Sequence, residues 1–163
     1  MPGPDDGLGK KAEQKIKQWL DKPESGYSFD RIPDQMSGYY AVSRNICDFI
    51  CYKYPNIYYI ESKSTYNSRF DFAMLTDIQF NGLLEKSQIE GCYGLVIVLF
   101  ASHKRAFILN IQHIKQLIDQ GKKSLNVKKI DKWGIPYSEI QTLKSRKELL
   151  DYTGFLDEYI KSL

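Results

Sequence analysis

The sequence predicts an α/β fold in which helices flank one mixed central β-sheet. Segments rich in β-branched and aromatic residues alternate with amphipathic segments of helical spacing, which is typical of a sheet between helices. The most hydrophobic run, residues 93–101, predicts a central strand covered on both faces. A chain of 163 residues is long enough to bury a sizeable core. We therefore expect one domain over residues 1–163.

Composition and charge exclude several classes of protein. Hydrophobic residues make up 42% of the chain and charged residues 26%, which excludes a disordered chain or a fibre. No apolar run approaches the roughly 18 residues of a membrane span, and the polar N-terminus lacks a signal-peptide core. We therefore expect a cytoplasmic protein that does not bind membranes. Three cysteines without a C-x-x-C pair predict free buried thiols rather than disulfides or structural zinc.

The chain begins with a predicted tail, helix and strand. Residues 1–9 hold two prolines and three glycines, which predicts a flexible tail. Residues 10–20 predict a helix, because apolar residues recur there at helical spacing. Residues 27–32 predict a short strand that ends before Pro33.

The next two segments predict an antiparallel hairpin that brings charged residues together. Residues 46–54 and 57–64 are rich in β-branched and aromatic residues. With Tyr54 facing Ile57, Asp48 lies near Lys63 and diagonal to Glu61. Glu61 and Lys63 share a face of the sheet, because side chains alternate along a strand. Half-buried strands seldom contain charged residues, so three of them close together on these strands indicate a function.

The second half of the chain predicts further helices and strands in alternation. We expect Gly121 to end the second of its helices as a C-cap. The predicted elements are a helix over 71–85, a central strand over 93–101, a strand over 105–110, a helix over 111–120, and one or two helices between 145 and 163.

Two carboxylates beside a lysine are suited to metal-assisted phosphodiester hydrolysis. Asp48 and Glu61 supply the hard oxygen ligands that Mg²⁺ or Mn²⁺ prefers, and the backbone carbonyl of Ser62 is a natural additional ligand. Lys63 can position or deprotonate a water molecule, or neutralise charge at the phosphorus. The alternative is a simple ion pair between Asp48 and Lys63 on an exposed sheet face.

Lysines form local clusters on a chain whose net charge is only +3. Such clusters favour a face that binds a polyanion, although ordinary solvated lysines are the alternative. The clusters comprise Lys10, Lys11, Lys15 and Lys17, and then Lys122, Lys123, Lys128, Lys129 and Lys132.

The spacing of the acidic residues resembles that of the PD-(D/E)XK nucleases, which implies a restriction-endonuclease-like core. Asp48 stands thirteen residues before Glu61 of the Glu61-Ser62-Lys63 triplet. Within that superfamily the chain most resembles the RecU-type Holliday junction resolvases. Further positions carry the resemblance, namely Phe70, Asp77 and Gln79, the run at 94–100, residues 107–109, and the basic signature at 121–125.

The resemblance implies roles for individual residues. Asp48 and Glu61 would bind the metal, Lys63 would be the catalytic lysine, and Gln79 would orient the scissile phosphate or the nucleophilic water. Glu13 resembles an acidic residue that many superfamily members direct at the metal, although a surface ion pair is the alternative. The residues expected to contact DNA are Lys122, Lys123 and Ser124 of the basic signature, with Lys10 and Lys11 of the first helix.

The resemblance also implies partners. The substrate would be branched DNA, a four-way junction, and the enzyme would be a homodimer, with a recombinase as a further candidate partner. In RecU-type enzymes a stalk projects between the two subunits, and residues 30–34 match the corresponding region poorly. An altered stalk would suit a phage-encoded relative that works in the host cytoplasm. Asp34, which follows a proline, is a rival to Asp48. A PD-(D/E)XK nuclease of another DNA specificity and a non-catalytic DNA-structure-binding module remain the alternative functions.

Overall fold

The computed structural model describes residues 7–20, 26–33, 45–140 and 159. Its helices and strands are α1 (Leu8–Leu20), β1 (Ser28–Arg31), β2 (Phe49–Lys53), β3 (Asn56–Thr65), β4 (Arg69–Asp71), α2 (Asp77–Ser87), β5 (Cys92–Phe100), β6 (Arg105–Asn110), α3 (Ile111–Asp119), β7 (Ser124–Asn126) and β8 (Ser138–Ile140). No helix among these residues is long and apolar enough to cross a membrane.

Six of the strands form one mixed sheet, as the sequence predicts. The strand order is β1-β2-β3-β5-β6-β8. β3 and β5 run parallel, and the other neighbours in this sheet pair antiparallel. The remaining strands, β4 and β7, form a small antiparallel pair of their own.

Both faces of the sheet are covered by apolar side chains. On one face Tyr58 and Ile60 of β3 belong to a buried cluster with Ile16 of α1. On the other face Val96 of β5 belongs to a second buried cluster with Leu83 of α2 and with α3. The prediction that β5 is a central strand covered on both faces is therefore confirmed.

Two glycines allow α2 to pack close to the sheet. A Cβ atom on Gly82 would lie 2.3 Å from Cγ2 of Ile46, and one on Gly94 of β5 would lie 2.5 Å from the carbonyl oxygen of Leu83. Neither distance is compatible with a side chain unless the neighbouring atoms move. The absence of side chains at these positions therefore lets α2 pack closely against Ile46, two residues before Asp48, and against β5, the neighbour of the strand that carries Glu61.

The predicted helix over 71–85 is wrong at its start. Phe72–Met74 form a short 3-10 helix, and α2 begins only at Asp77, after the N-cap Thr76. Thr76 has extended backbone angles, and its side chain accepts the N–H of Gln79. An N-cap ends the preceding extended segment and satisfies donors that the first helical turn leaves unpaired, so the helix starts where this residue stands.

Other boundaries differ less from the predictions. The tail prediction for 1–9 is wrong at Leu8 and Gly9, which belong to α1, and residues 1–6 lie outside the described residues. Gly121 has a φ of +84°, and its N–H bonds the carbonyl of Ile118 while that of Lys122 bonds Leu117. This is a Schellman motif, which confirms that the glycine ends α3.

Two predictions fall wholly or largely outside the described residues. The helices expected between 145 and 163 lie there, apart from Tyr159. That tyrosine is buried, and its hydroxyl accepts a hydrogen bond of 3.1 Å from Asn110 Nδ2. Asp34, the rival to Asp48, also lies outside the described residues.

Candidate active site

The hairpin of β2 and β3 forms as predicted, but its predicted register is wrong by two residues. Lys53 pairs with Asn56 and Phe49 with Ile60, so the turn lies at residues 54–55. Asn56 was expected in the turn, but its backbone pairs with Lys53, so β3 begins one residue earlier than predicted. A shift of two residues leaves every side chain on the same face, but it changes the residue opposite Asp48 from Lys63 to Glu61.

Asp48 is held next to Glu61 by backbone hydrogen bonds. Its N–H donates to the carbonyl oxygen of Ile60 at 3.0 Å. Its Oδ2 accepts the N–H of Ser62 at 2.9 Å. One carboxylate oxygen is thereby fixed against the backbone of β3, immediately beyond Glu61.

Glu61 is the buried centre of the site, with 3% of its surface exposed. Its Oε1 accepts a hydrogen bond of 2.8 Å from Gln79 Nε2 and lies 3.1 Å from Lys63 Nζ. Its Oε2 is buried and has no hydrogen-bond partner among the described residues. Burying a carboxylate oxygen without a partner costs free energy of folding, which indicates that a ligand binds this oxygen.

Both carboxyl groups have a raised pKa. Burial raises the pKa of Glu61 to about 8, and the negative charge of Asp48 contributes to the rise, while the Lys63 ammonium opposes it. Burial also raises the pKa of Asp48, against the lowering effect of the Ser62 N–H. Two acidic groups that resist ionisation together are typical of a site that binds a cation or moves a proton.

The donor set fits a small divalent cation. The unpartnered Oε2 of Glu61 and the adjacent carboxylate of Asp48 are hard oxygen donors of the kind that Mg²⁺ and Mn²⁺ prefer. Within the described ranges no group of three or more His, Cys, Asp or Glu side chains is arranged to hold a metal. Mg²⁺ commonly binds through one or two carboxylates and keeps several waters, so two acidic ligands suffice.

Glu13, the third carboxylate predicted to bind the metal, has another contact. Its Oε2 accepts hydrogen bonds from Arg31 Nη2 at 2.8 Å and Arg31 Nε at 3.1 Å. This ion pair joins α1 to β1, and its arginine was not predicted from the sequence. The negative charge of Glu13 still contributes to the raised pKa values of Asp48 and Glu61. A role of Glu13 at the metal stays a prediction.

Gln79 reaches the site from the first turn of α2. Its side-chain oxygen accepts the N–H of Thr76, and its side-chain nitrogen donates to Glu61. The structure therefore places Gln79 beside Glu61, and its role in orienting the scissile phosphate or the nucleophilic water stays a prediction. The role of Thr76 was missed, although the pattern Thr76-x-x-Gln79 is a capping box that can be read from sequence.

The predicted DNA-contacting lysines are exposed in two places. Lys122 and Lys123 precede β7, and the carbonyl of Lys123 accepts the N–H of Phe72 at 2.9 Å. The segment after Phe72 leads directly to α2, so the basic signature is tied to the element that carries Gln79. Lys10 and Lys11 are exposed on α1. Ser124, the first residue of β7, is half-buried.

Glu61 should also set the pH dependence of stability without metal. Since its pKa is about 8 in the folded protein, far above its value of about 4.5 in the unfolded chain, the folded state keeps a proton that the unfolded state loses. Stability should therefore fall as pH rises from 4.5 to 8 and level off above. The Glu61→Gln variant should match the wild type near pH 4 and exceed it at pH 8.5 by on the order of 2–4 kcal/mol.

Urea unfolding in the presence of a chelator, repeated from pH 4 to 9, measures this difference. Equal stabilities of the two proteins across the whole range would contradict the raised pKa of Glu61.

Comparison with known proteins places the chain in a family. The family model described as RecU, Recombination protein U, matches residues 27–158 of the 163. The chain is also similar to a solved structure of Archaeoglobus fulgidus Hjc, a Holliday junction resolvase, with 16% identity over 64% of this chain and 78% of that one, at a TM-score of 0.48. No curated protein matches the sequence. Since the family match spans most of its length, the chain belongs to the Recombination protein U family, as its resemblance to RecU-type resolvases predicts.

Proposed function

We propose that this chain is a Mg²⁺-dependent endonuclease that resolves Holliday junctions during DNA recombination, with Mn²⁺ as a substitute. The carrying observation is the buried carboxylate of Glu61, whose Oε2 lacks a partner while Gln79 and Lys63 hold its Oε1. Membership of the Recombination protein U family supports the role in recombination. Its substrate would be the four-way junction on which such resolvases act.

The residues of the site divide the work of hydrolysis. Asp48 and Glu61, with the backbone carbonyl of Ser62, would hold the cation, which would polarise the scissile phosphate and lower the pKa of a bound water. Lys63 has 18% of its side chain exposed and lies 3.1 Å from Glu61, so its ammonium is half-buried beside the carboxylates. From there it can orient the attacking water and stabilise the negative charge that grows on the phosphate oxygens.

Two copies of the chain would act together. A four-way junction has two-fold symmetry, and resolving it requires one cut in each of two symmetry-related strands. A homodimer presents one such site to each strand. A recombinase that forms the junction is a further partner in this proposal. Both proteins would meet the DNA in the cytoplasm, which is the host cytoplasm if the protein is phage-encoded.

The basic signature would bind the DNA backbone. The double substitution Lys122→Ala and Lys123→Ala should weaken junction binding and lower the slope of log affinity against log salt by about 1.8, because each lost phosphate contact contributes about 0.9. Fluorescence anisotropy with a labelled junction at several salt concentrations measures the slope. Lys115→Ala is the control, since Lys115 on α3 is paired with Asp119 at 2.6 Å. Equal slopes for the double variant and the wild type would contradict this role.

Cleavage of a junction compared with its separate linear arms tests the proposed specificity. Nicks confined to the four-way junction are the expected result, and Glu61→Ala should remove them. Equal cutting of the arms would instead indicate a nuclease of another DNA specificity. Junction binding that Glu61→Ala does not weaken, without metal-dependent cutting by the wild type, would indicate a non-catalytic DNA-binding module.

A further inference from the structure

The N-cap of α2 is connected to the candidate metal centre through a single side chain. Thr76 Oγ1 accepts the N–H of Gln79 at 3.2 Å, and the N–H of Thr76 donates to Gln79 Oε1 at 3.1 Å. The other end of the same amide, Nε2, donates to Glu61 Oε1 at 2.8 Å. Gln79 therefore bridges the start of a helix and the buried carboxylate.

The capping box determines which end of the amide faces Glu61. A glutamine side chain carries one acceptor oxygen and one donor nitrogen. Because the backbone N–H of Thr76 donates to the oxygen, the nitrogen is left to face Glu61. A flipped amide would bring its oxygen against the carboxylate and would also lose the bond from the Thr76 N–H.

The orientation of Gln79 in turn determines which oxygen of Glu61 stays available. Gln79 and Lys63 both contact Oε1, and Oε2 is left buried without a partner among the described residues. The close packing of α2 against Ile46 at Gly82 and against β5 at Gly94 leaves little room for the helix to move, so this geometry is kept. A carboxylate held by one oxygen presents the other to a ligand in a fixed direction.

We propose that Thr76 is a positioning residue of the metal centre, acting through Gln79 to hold Glu61 with Oε2 free for a divalent cation. The proposal rests on the proposed metal-dependent function. It assigns a second task to a capping box, which in most helices only stabilises the first turn. Groups that orient metal ligands commonly contribute about 10- to 100-fold to metal affinity, and Thr76 acts one residue further away.

The test measures Mn²⁺ affinity by isothermal titration calorimetry in four proteins. Thr76→Val keeps the N–H that bonds Gln79 Oε1 but removes Oγ1, which holds the backbone N–H of Gln79 in the first turn of α2. Without that bond the backbone that carries the Gln79 amide should shift, and Mn²⁺ binding should weaken about three- to tenfold. Thr76→Ser keeps the acceptor and should restore wild-type affinity. Asn126→Ala is the matched control, because Asn126 caps a 3-10 helix by accepting the N–H of Lys128 and lies outside this network. It should bind Mn²⁺ as the wild type does.

Two results would overturn the proposal. One is wild-type affinity of Thr76→Val for Mn²⁺, and the other is equal weakening in Thr76→Val and Asn126→Ala, which would reduce Thr76 to a contributor to stability.

A second measurement on the metal-free wild type keeps the proposal testable if Thr76→Val does not fold. The side-chain amide protons of Gln79 should exchange slowly with water in NMR spectra, as expected of a doubly held amide. Rapid exchange in the wild type would refute the proposal. Failure of the wild type to bind Mn²⁺ would refute the proposed function instead, while the amide exchange would still report on the capping box.

Discussion

Replacing Glu61 by glutamine should lower the rate of junction cleavage on the order of 1,000-fold or more, with junction binding changed by less than about threefold. Glutamine has nearly the same size and keeps an oxygen that Gln79 and Lys63 can contact, but it lacks the charge that holds a divalent cation. The loss should therefore appear in the rate of the chemical step. Single-turnover cleavage in Mg²⁺ measures that rate, and gel-shift assays in Ca²⁺ measure binding.

Glu139→Gln is the matched control for this experiment. Glu139 is a glutamate of β8 that is paired with Arg105 at 2.6 Å and is not part of the site. The control should cleave at the wild-type rate. If Glu61→Gln also retained the wild-type rate, Glu61 would not be a metal ligand.

Replacing Lys63 by methionine should lower the cleavage rate about 100- to 10,000-fold while metal binding persists. Methionine keeps most of the length of the side chain but loses the ammonium that orients water and stabilises charge. The carboxylates of Asp48 and Glu61 remain, so Mn²⁺ should still bind, although the raised pKa of Glu61 should rise further without its cationic neighbour.

Calorimetry with Mn²⁺ and single-turnover cleavage together separate these two effects. Lys86→Met serves as the control, because Lys86 of α2 lies over the ring of Tyr59, 5.4 Å from its centre, and no bond joins it to Glu61. Loss of Mn²⁺ binding in Lys63→Met, in proportion to the loss of cleavage, would assign Lys63 to the metal site rather than to the chemical step.

The identity of the central residues could be predicted because side-chain alternation along a strand does not depend on exact register. Glu61 and Lys63 share a face in any pairing, and Asp48 joins them for every even shift of the hairpin. The two-residue error arose at the turn, where Asn56 pairs with Lys53 instead of lying in the loop. The bond from the Ser62 N–H to Asp48 follows from that register, so it could not be foreseen.

The surroundings of Glu61 depend on contacts between residues distant in sequence. The unpartnered Oε2 and the raised pKa both result from the burial of Glu61, beside which α2 places Gln79. The close packing of α2 requires Gly82 to meet Ile46 and Gly94 to meet the carbonyl of Leu83. The residue that each glycine contacts cannot be identified from the sequence. The capping box at Thr76 was readable, but a helix begun too early at residue 71 placed Thr76 inside it and concealed the cap.

The shortest elements were not predicted for a different reason. β4, β7 and β8 have three residues each, too few to show a period. Their pairing partners are distant in sequence, as with Phe70 and Leu125, or Phe107 and Glu139. Whether such a short segment forms a strand depends on the neighbouring strand with which it pairs, so the sequence pattern of the segment alone does not reveal it.

A crystal structure of the protein with Mn²⁺ tests the central claim most directly. Anomalous scattering identifies the ion without reference to the protein atoms. The expected result is one Mn²⁺ bonded to both Asp48 and Glu61, with Oε2 of Glu61 as the coordinating oxygen and Gln79 still on Oε1. A structure in which Mn²⁺ is absent from this pair at saturating concentration, or bound only elsewhere, would contradict the account.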